Sequence, residues 1–437
     1  MLRAVVACQQ AYGSGCAGQF VPSIGGNLSV SANSDTDIAE TVQRPSQARP
    51  RPALGRVFLA AFAALLVVPL ASMLYKPGFV SPLDEHRTPA KFPSLAMLRN
   101  AGGDFAAQIN SWFDDRVGLR DLFIRAKNQI DYSVFHTSRK DYVGPNGWLF
   151  ERATTDARLR LERASAAELE NLEAEFLNLE QRLQQRGIRL IVVGYPDKSM
   201  FYPELLPSNA PHIPHGGNYD KLRAFLAAQP GLNFIDAETI LNREKSQTAE
   251  PQYYKTDIHV ALLGSIPIVR AIIERIAALE GRPEIRWNEK FQVNHDYWSG
   301  GSEGRFLSLL WPVSESVGSP SPIYEVGRDE PDGRWLVPDR RAIGEVGFDS
   351  VQPFDFEYRS RPELCAQRLP GAALFGNSFS DRYWPLGLQR YFCFIRRART
   401  PTERLTPFVA NLPEGTKYFI FQYLAAYLPG EGPRLKP

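Results

Sequence analysis

Between Arg56 and Lys76 the chain runs from Val57 to Leu74, VFLAAFAALLVVPLASML, eighteen residues without a charged side chain. As a helix rising ~1.5 Å per residue, that run spans roughly 27 Å, about the hydrocarbon thickness of a bilayer. No one-sided apolar stripe shows over it, which argues against a helix packed on a soluble core. Pro69 lies in its last third, where a membrane helix tolerates proline. Arg44, Arg49, Arg51 and Arg56 precede the run closely, and Lys76 is the only base soon after it. The positive-inside bias therefore places the N-terminus in the cytoplasm and the remainder outside. A cleaved signal peptide competes with this reading, but Pro69 stands three residues before the end of any cut next to Ala71, which spoils a small-x-small site. The run reads as the uncleaved single-pass anchor of a bacterial inner-membrane protein.

The anchor organises the rest. Residues 1–55 read as a disordered cytoplasmic segment, since 1–50 are rich in Gly, Ser, Gln, Asn and Ala with no sustained apolar period. Residues 56–75 hold the anchor, 76–104 a proline-bearing stalk, and 105–437 a periplasmic domain large enough to bury a substantial core. Fifty basic against 48 acidic residues leave a formal charge of +2, so no footprint of nucleic-acid binding appears. Four cysteines exclude a disulfide scaffold. Cys365 and Cys393 would lie in an oxidising space, where a bond and two buried thiols are equally consistent with the sequence.

Within the outer domain, Phe105 to Phe135 carries apolar residues at helical spacing with a break expected at Gly118. Asn146-Gly147 sits between two β-prone runs and predicts a hairpin. Leu169, Leu172, Phe176, Leu179 and Leu183 step by threes and fours toward Gly187, a helix with its C-cap. The continuous apolar run 188–194 then reads as a buried strand. Further strands are expected at 233–236, 372–375, 391–395 and 417–421, with a helix from Ile266 to Leu279. Strands alternating with helices predict an α/β domain with a mostly parallel sheet. Residues 281–370, rich in Gly, Pro and Trp, read as long loops or an insertion walling a cleft, where Trp287, Trp298 and Trp311 could stack on sugar rings or simply pack.

Two segments stand out for chemistry. Gly376-Asn377-Ser378 follows the strand 372–375 and opens a helix, the layout that exposes a serine Oγ on a tight turn beside unpaired N–H groups. A serine that merely caps that helix gives the same pattern. Upstream, Tyr254-Lys-Thr-Asp257-Ile-His259 places a carboxylate two residues from an imidazole, which suits a base held in one tautomer by an orienting acid. A surface Asp and a packed His would look identical. His212 and His215 form H-x-x-H without a partnering Cys or Glu, and His86, His136 and His295 lack companions, so no metal is expected. No P-loop or dinucleotide fingerprint is present, and no cofactor is expected.

Taken in order, FDDRVGLRDLFIRAKNQIDY (113–132), YVGPNGWLF (142–150), VVGYPDKSMFYPELLP (192–207), YYKTDIH (253–259) and LFGNSFS (374–380) resemble the SGNH-hydrolase-like domain of the AlgJ/AlgX alginate O-acetylation family over roughly residues 100–425. The resemblance implies a triad of Ser378 as nucleophile, His259 as base and Asp257 as orienting acid. It further implies oxyanion or substrate contacts at Gly376 and Asn377, with Lys198 and Tyr202 near the site and Lys198 a candidate partner for an anionic sugar. The activity implied is transfer of acetyl groups to an exopolysaccharide in the periplasm, with a membrane-bound acyltransferase as the partner that supplies them. A polysaccharide acetyl esterase with the same triad and a non-catalytic scaffold subunit are the alternatives. The chain departs from the family pattern at Asn377, where Asp is usual, at Val260 and Gly264-Ser265 after the histidine, and at Ala425-Ala426 after the last strand.

Overall fold

The computed structural model describes residues 52–74, 83, 88–94, 102–213, 216–298, 300–320, 332–337, 355–400 and 404–435. The expectations for residues 1–50, for most of the stalk, and for His86 and His215 lie outside them.

Helix α1 (Pro52–Leu74) contains the apolar run. Its stretch Gly55–Met73, with mean hydropathy 2.1, is long and apolar enough to cross a membrane, and no residue of that window is buried. Helices α2 (Gly102–Asp114) and α3 (Arg120–Phe135) follow, parted where the break was expected; the residue that takes the left-handed conformation is Leu119, at φ 63°, rather than Gly118.

The hairpin of β1 (Asp141–Val143) and β2 (Leu149–Glu151) forms as expected, with Asn146 at φ 55° and Gly147 at φ 80° in its turn. Helix α4 (Ala166–Gln184) starts at a capping box between Ser165 and Glu168 and buries the five apolar residues its spacing picked out. It stops before Gly187 at φ 69°, where the Ile188 N–H donates back to the Leu183 carbonyl at 3.0 Å. Strand β3 (Arg189–Tyr195), helix α5 (Asn218–Ala228), β4 (Ile235–Asp236), helix α6 (Ala237–Lys245) and helix α7 (Leu262–Leu279) come next. Helix α7 starts four residues before the expected Ile266 and runs through Pro267.

The remaining strands are β5 (Val293–Trp298), β6 (Glu315–Pro320), β7 (Gly333–Leu336), β8 (Phe356–Ser360), β9 (Gly371–Gly376), β10 (Phe394–Arg399) and β11 (Thr416–Leu424). Seven strands form one sheet in the order β4-β3-β11-β9-β10-β8-β7. The four pairings from β4 to β10 are parallel, whereas β8 and β7 join antiparallel at the edge. The sheet is therefore mixed: its parallel centre follows the helix–strand alternation, and the two edge strands correct the reading of 281–370 as loops. Strand β10 is also displaced from the expected 391–395. Its downstream half is a run of arginines, and Arg397 is fully buried, so apolar patterning fails there. The ion pair of Arg397 to Asp381 makes that burial possible, while the neighbouring Arg396 pairs with Asp355.

Alternation along the central strands sends their side chains to two layers. Ile191, Val193, Tyr195, Leu374 and Ile420 pack on the face covered by α6 and α7, while Leu190, Val192, Phe375, Phe419 and Phe421 pack on that covered by α4 and α5. Cys365 and Cys393 are joined by a disulfide, with Cα atoms 4.6 Å apart, which settles the pairing the sequence left open.

Candidate active site

The carboxyl ends of the parallel strands carry the site, where a doubly wound sheet leaves its crevice. Strand β9 ends at Gly376, and the chain enters a short 3₁₀ turn, Ser378–Tyr383, not an α-helix. Asn377, not Ser378, caps that turn: its Oδ1 accepts from the Phe379 N–H at 3.1 Å. The serine is thereby released from the capping duty that would have explained it without catalysis. The Gln422 side chain on β11 reaches beneath the turn, its Oε1 accepting the Asn377 N–H at 2.9 Å. Glycine at 376 is required for that approach, since a Cβ there would meet Gln422 Oε1 at 2.5 Å. Beyond the serine, Ser380 Oγ donates to the Asn377 carbonyl at 2.8 Å and accepts from buried Arg397 at 3.1 Å.

Facing this turn is the loop 253–260, closed by a bridge between Tyr253 and Val260. His259 Nε2 stands 2.7 Å from Ser378 Oγ. Its Nδ1 contacts Asp257 Oδ1, which also accepts the His259 backbone N–H at 3.0 Å. Asp257 Oδ2 accepts from the N–H and the Oγ of Ser302, at 2.9 and 3.0 Å. The carboxyl is buried, and burial pushes its pKa up; the bonds and charge from His259, the Ser302 N–H and the nearby Arg382 outweigh that and hold it well below the usual carboxylate range. An ionised Asp257 keeps a proton on Nδ1 and leaves Nε2 to accept from the serine hydroxyl. The Phe379 ring packs 5.1 Å from the imidazole and limits its swing.

Two buried acids from distant segments hold the loop in place. Glu315 accepts the Lys255 and Thr256 N–H groups at 2.7 and 3.0 Å, and it also binds the Thr256 hydroxyl. Lys198, 4% exposed, donates to the carbonyls of Tyr254, Lys255 and Asp257 at 3.2, 3.2 and 2.8 Å. Its fourth partner is Glu303 at 2.6 Å. Burial pushes the Glu303 carboxyl well up, against the pull of Lys198.

These contacts correct the expectations for two residues. Lys198 is not a sugar-binding group, because its ammonium is buried and fully engaged on the loop's carbonyls. Tyr202 is likewise a core residue: it is buried, and its hydroxyl accepts the Gln252 N–H at 2.9 Å. Gly376 and Asn377 shape the nucleophile's turn and do not offer side chains to a substrate. The departures from the family pattern fall in packed positions. Val260, Ala425 and Ala426 are buried, and a Cβ at Gly264 would meet the Gln252 carbonyl at 2.7 Å.

Ser302, Glu303, Glu315 and Gln422 escaped the sequence reading. The tract Gly300-Gly301-Ser302-Glu303-Gly304 held the available signal, since a Cβ at Gly301 would stand 2.4 Å from that of Asp257. Of the other histidines, His295 pairs with Glu250 at 2.7 Å, and no cluster of three metal-ligating side chains occurs among the described residues. Trp298 packs edge-on against Tyr254, Trp287 donates to the Leu386 carbonyl at 3.0 Å, and Trp311 is largely exposed.

Residues 142–304 match the model of the SGNH hydrolase-like domain of the acetyltransferase AlgX, a span that holds Lys198, Asp257, His259 and Ser302 and stops short of Ser378. The probable alginate O-acetylase AlgJ of Pseudomonas aeruginosa is 27% identical over 54% of this chain and 53% of its own length. The corresponding protein of Pseudomonas syringae pv. tomato is 25% identical over 45% of this chain and 50% of its own. The chain thus spans about half the length of the curated relatives it matches. Among solved structures, the O-acetyltransferase domain of Pseudomonas putida AlgJ aligns over 67% of this chain and 93% of its own, at 18% identity and a TM-score of 0.41. Bacillus cereus PatB1 aligns over 67% and 98%, at 12% identity and a TM-score of 0.46. The resemblance of this sequence to the AlgJ/AlgX family is thereby shown, through its SGNH hydrolase-like domain and its AlgJ relatives.

Proposed function

We propose that the chain is an O-acetyltransferase acting on hydroxyls of an exopolysaccharide, anchored by α1 with residues 105–437 in the periplasm. One observation carries the chemistry: Ser378 Oγ, His259 and Asp257 form a continuous hydrogen-bonded chain, with Nε2 at 2.7 Å from the nucleophile. Ser378 Oγ attacks the acetyl carbonyl of a donor while its proton passes to Nε2. The donor's C–O bond breaks, its leaving oxygen takes that proton, and acetyl-Ser378 remains. A sugar hydroxyl then gives its proton to Nε2 and attacks the same carbonyl; the C–Oγ bond breaks and Oγ recovers the proton. The Ser378 N–H, on the nucleophile's own turn, is the donor we assign to the oxyanion in both steps.

The AlgJ relatives support the acetyl chemistry and the polysaccharide acceptor. The apolar helix with arginines before it, and the disulfide in the body, support the compartment. A membrane-bound acyltransferase is the partner this reading requires, since the outer compartment holds no pool of acetyl-CoA.

The test uses the full chain in detergent micelles with a small aryl acetate, with and without an acidic or a neutral oligosaccharide, read by intact-mass and peptide mass spectrometry. An acetyl group on Ser378 and acetylated oligosaccharide, both absent from Ser378→Ala, are the expected result. Acetyl-Ser378 yielding only free acetate would make the protein an esterase. No acetyl-enzyme at all would leave the scaffold reading.

A further inference from the structure

Helix α3 is built inside out. Its polar side faces the body: Arg125 donates to the Leu309 carbonyl and Asn128 to that of Leu307, both at 2.9 Å. Its apolar side faces away, for Phe123, Ile130 and Val134 share one stripe of the helix and are each half or more exposed. No residue of α3 is buried. Beside the stripe stands Trp311, 71% exposed, its backbone N–H donating to Gln129 Oε1 at 3.1 Å. A helix that serves only its own domain turns the apolar stripe inward, so one turned outward calls for a partner.

The joint between α3 and α1 points to what that partner is. The turn that precedes α3 meets the end of α1, where the Gly118 N–H donates to the Pro69 carbonyl at 3.1 Å. Gly118 is buried there, and a Cβ on it would stand 2.5 Å from the Ser72 carbonyl carbon, so only glycine allows the approach. Pro69 lies four residues inside the end of the membrane-length stretch Gly55–Met73, which at ~1.5 Å per residue is about 6 Å. An amphipathic helix at a membrane surface buries its apolar face to a similar depth, roughly 5–10 Å into the boundary of headgroups and acyl chains. Tryptophan concentrates at the same level. From Arg116 to Lys140 the chain carries six bases against two acids, the sign that anionic headgroups attract.

We propose that α3, together with Trp311, is an interfacial helix that seats the domain on the anionic phospholipid surface of the membrane that α1 spans. This rests on α1 as the anchor proposed above and not on the acetyl chemistry. Lipid is favoured over a protein partner because the Gly118 joint sets a depth, and a depth is what a bilayer prescribes. A tether limits only how far the domain travels, whereas a seat also fixes which side of it faces the membrane.

The experiment is lipid quenching of Trp311 in the full chain, reconstituted into vesicles of phosphatidylcholine and phosphatidylglycerol whose acyl chains are brominated near the headgroup. The Trp311 emission is the difference between the unmutated chain and Trp311→Phe. It is expected to fall strongly in brominated vesicles relative to unbrominated ones. Phe123→Gln combined with Ile130→Gln, both at exposed positions, should restore most of it while near-ultraviolet circular dichroism stays unchanged. Emission insensitive to bromine would overturn the proposal and give the stripe to a membrane protein or a second copy of this chain. Quenching that survives the double substitution would overturn it too, since the tether alone would then bring Trp311 to the lipid. Resistance to an alkaline carbonate wash tests α1 separately. A chain that washes off sinks the anchor and the seat with it, and a chain retained without quenching sinks only the seat.

Discussion

The two halves of the site are held by different means. The turn bearing Ser378 is supported by its own neighbourhood: the Asn377 cap, the Gln422 amide one strand away, and the Ser380–Arg397 contact. The loop bearing Asp257 and His259 has no sheet to lean on. It is held by groups imported from afar: the charged Lys198 beyond β3, Glu303 in a glycine-rich tract and Glu315 on β6, with the neutral donors of Ser302 beside Glu303. A strand end aims a nucleophile with local hydrogen bonds, whereas an irregular loop needs buried ions to fix its carbonyls and amides. The second arrangement costs more to break, because each removed partner leaves a buried charge behind.

That contrast orders the expected effects. Asp257→Asn should have the largest effect on rate, lowering kcat by about 10⁴-fold through the wrong imidazole tautomer with the fold intact; rates within tenfold of the unmutated chain would remove Asp257 from the triad. Lys198→Met should cost about 3–5 kcal/mol of stability, seen as a lower midpoint in urea, by stranding Glu303. Adding Glu303→Leu should restore most of that stability while kcat stays low, since the Tyr254, Lys255 and Asp257 carbonyls remain without their donor. Recovery of both would make the pair purely structural.

Buried Asp141, at the start of β1, tests the ionic network through pH. Burial pushes its carboxyl up to about 7. A carboxyl raised in the fold contributes stability that is full below the unfolded pKa of about 4 and is lost as pH rises through about 7. The melting temperature of the unmutated chain should therefore fall between pH 5 and pH 8 more steeply than that of Asp141→Asn, and parallel curves would refute the shift. Ser302→Ala removes one of four hydrogen bonds to Asp257 and keeps the backbone donor. A loss of about 1 kcal/mol, roughly fivefold in kcat, is the smallest change expected; a loss as large as that of Asp257→Asn would mean that Ser302 does more than hold the carboxylate.

What could be read from the sequence follows the same division. The parallel strands β3, β9 and β11, the helix α4 and both candidate-site segments announce themselves through apolar runs and short spacings that local physics dictates. Strand β10 hid because its buried half is arginine, and a buried arginine looks like a surface one until Asp381 is brought to it. The clamps hid for a related reason: Glu303 and Glu315 are ordinary exposed-looking acids in sequence, and only the tertiary fold sets them against Lys198 and the loop amides. Resemblance places Lys198 and Tyr202 near the chemistry, but a motif records that a residue is needed without recording which way it faces.

The position of β11 has a consequence for how the site comes into being. It is the last strand of the sheet in chain order, yet it lies between β3 and β9. Until it is made and inserted, the strand that ends near Lys198 and the strand that aims Ser378 have no edge in common. Gln422, which supports the nucleophile's turn, arrives on the same strand. Ser378, His259 and Asp257 all precede β11 in the chain, so on the proposed function the site is complete only once that last strand lies between β3 and β9.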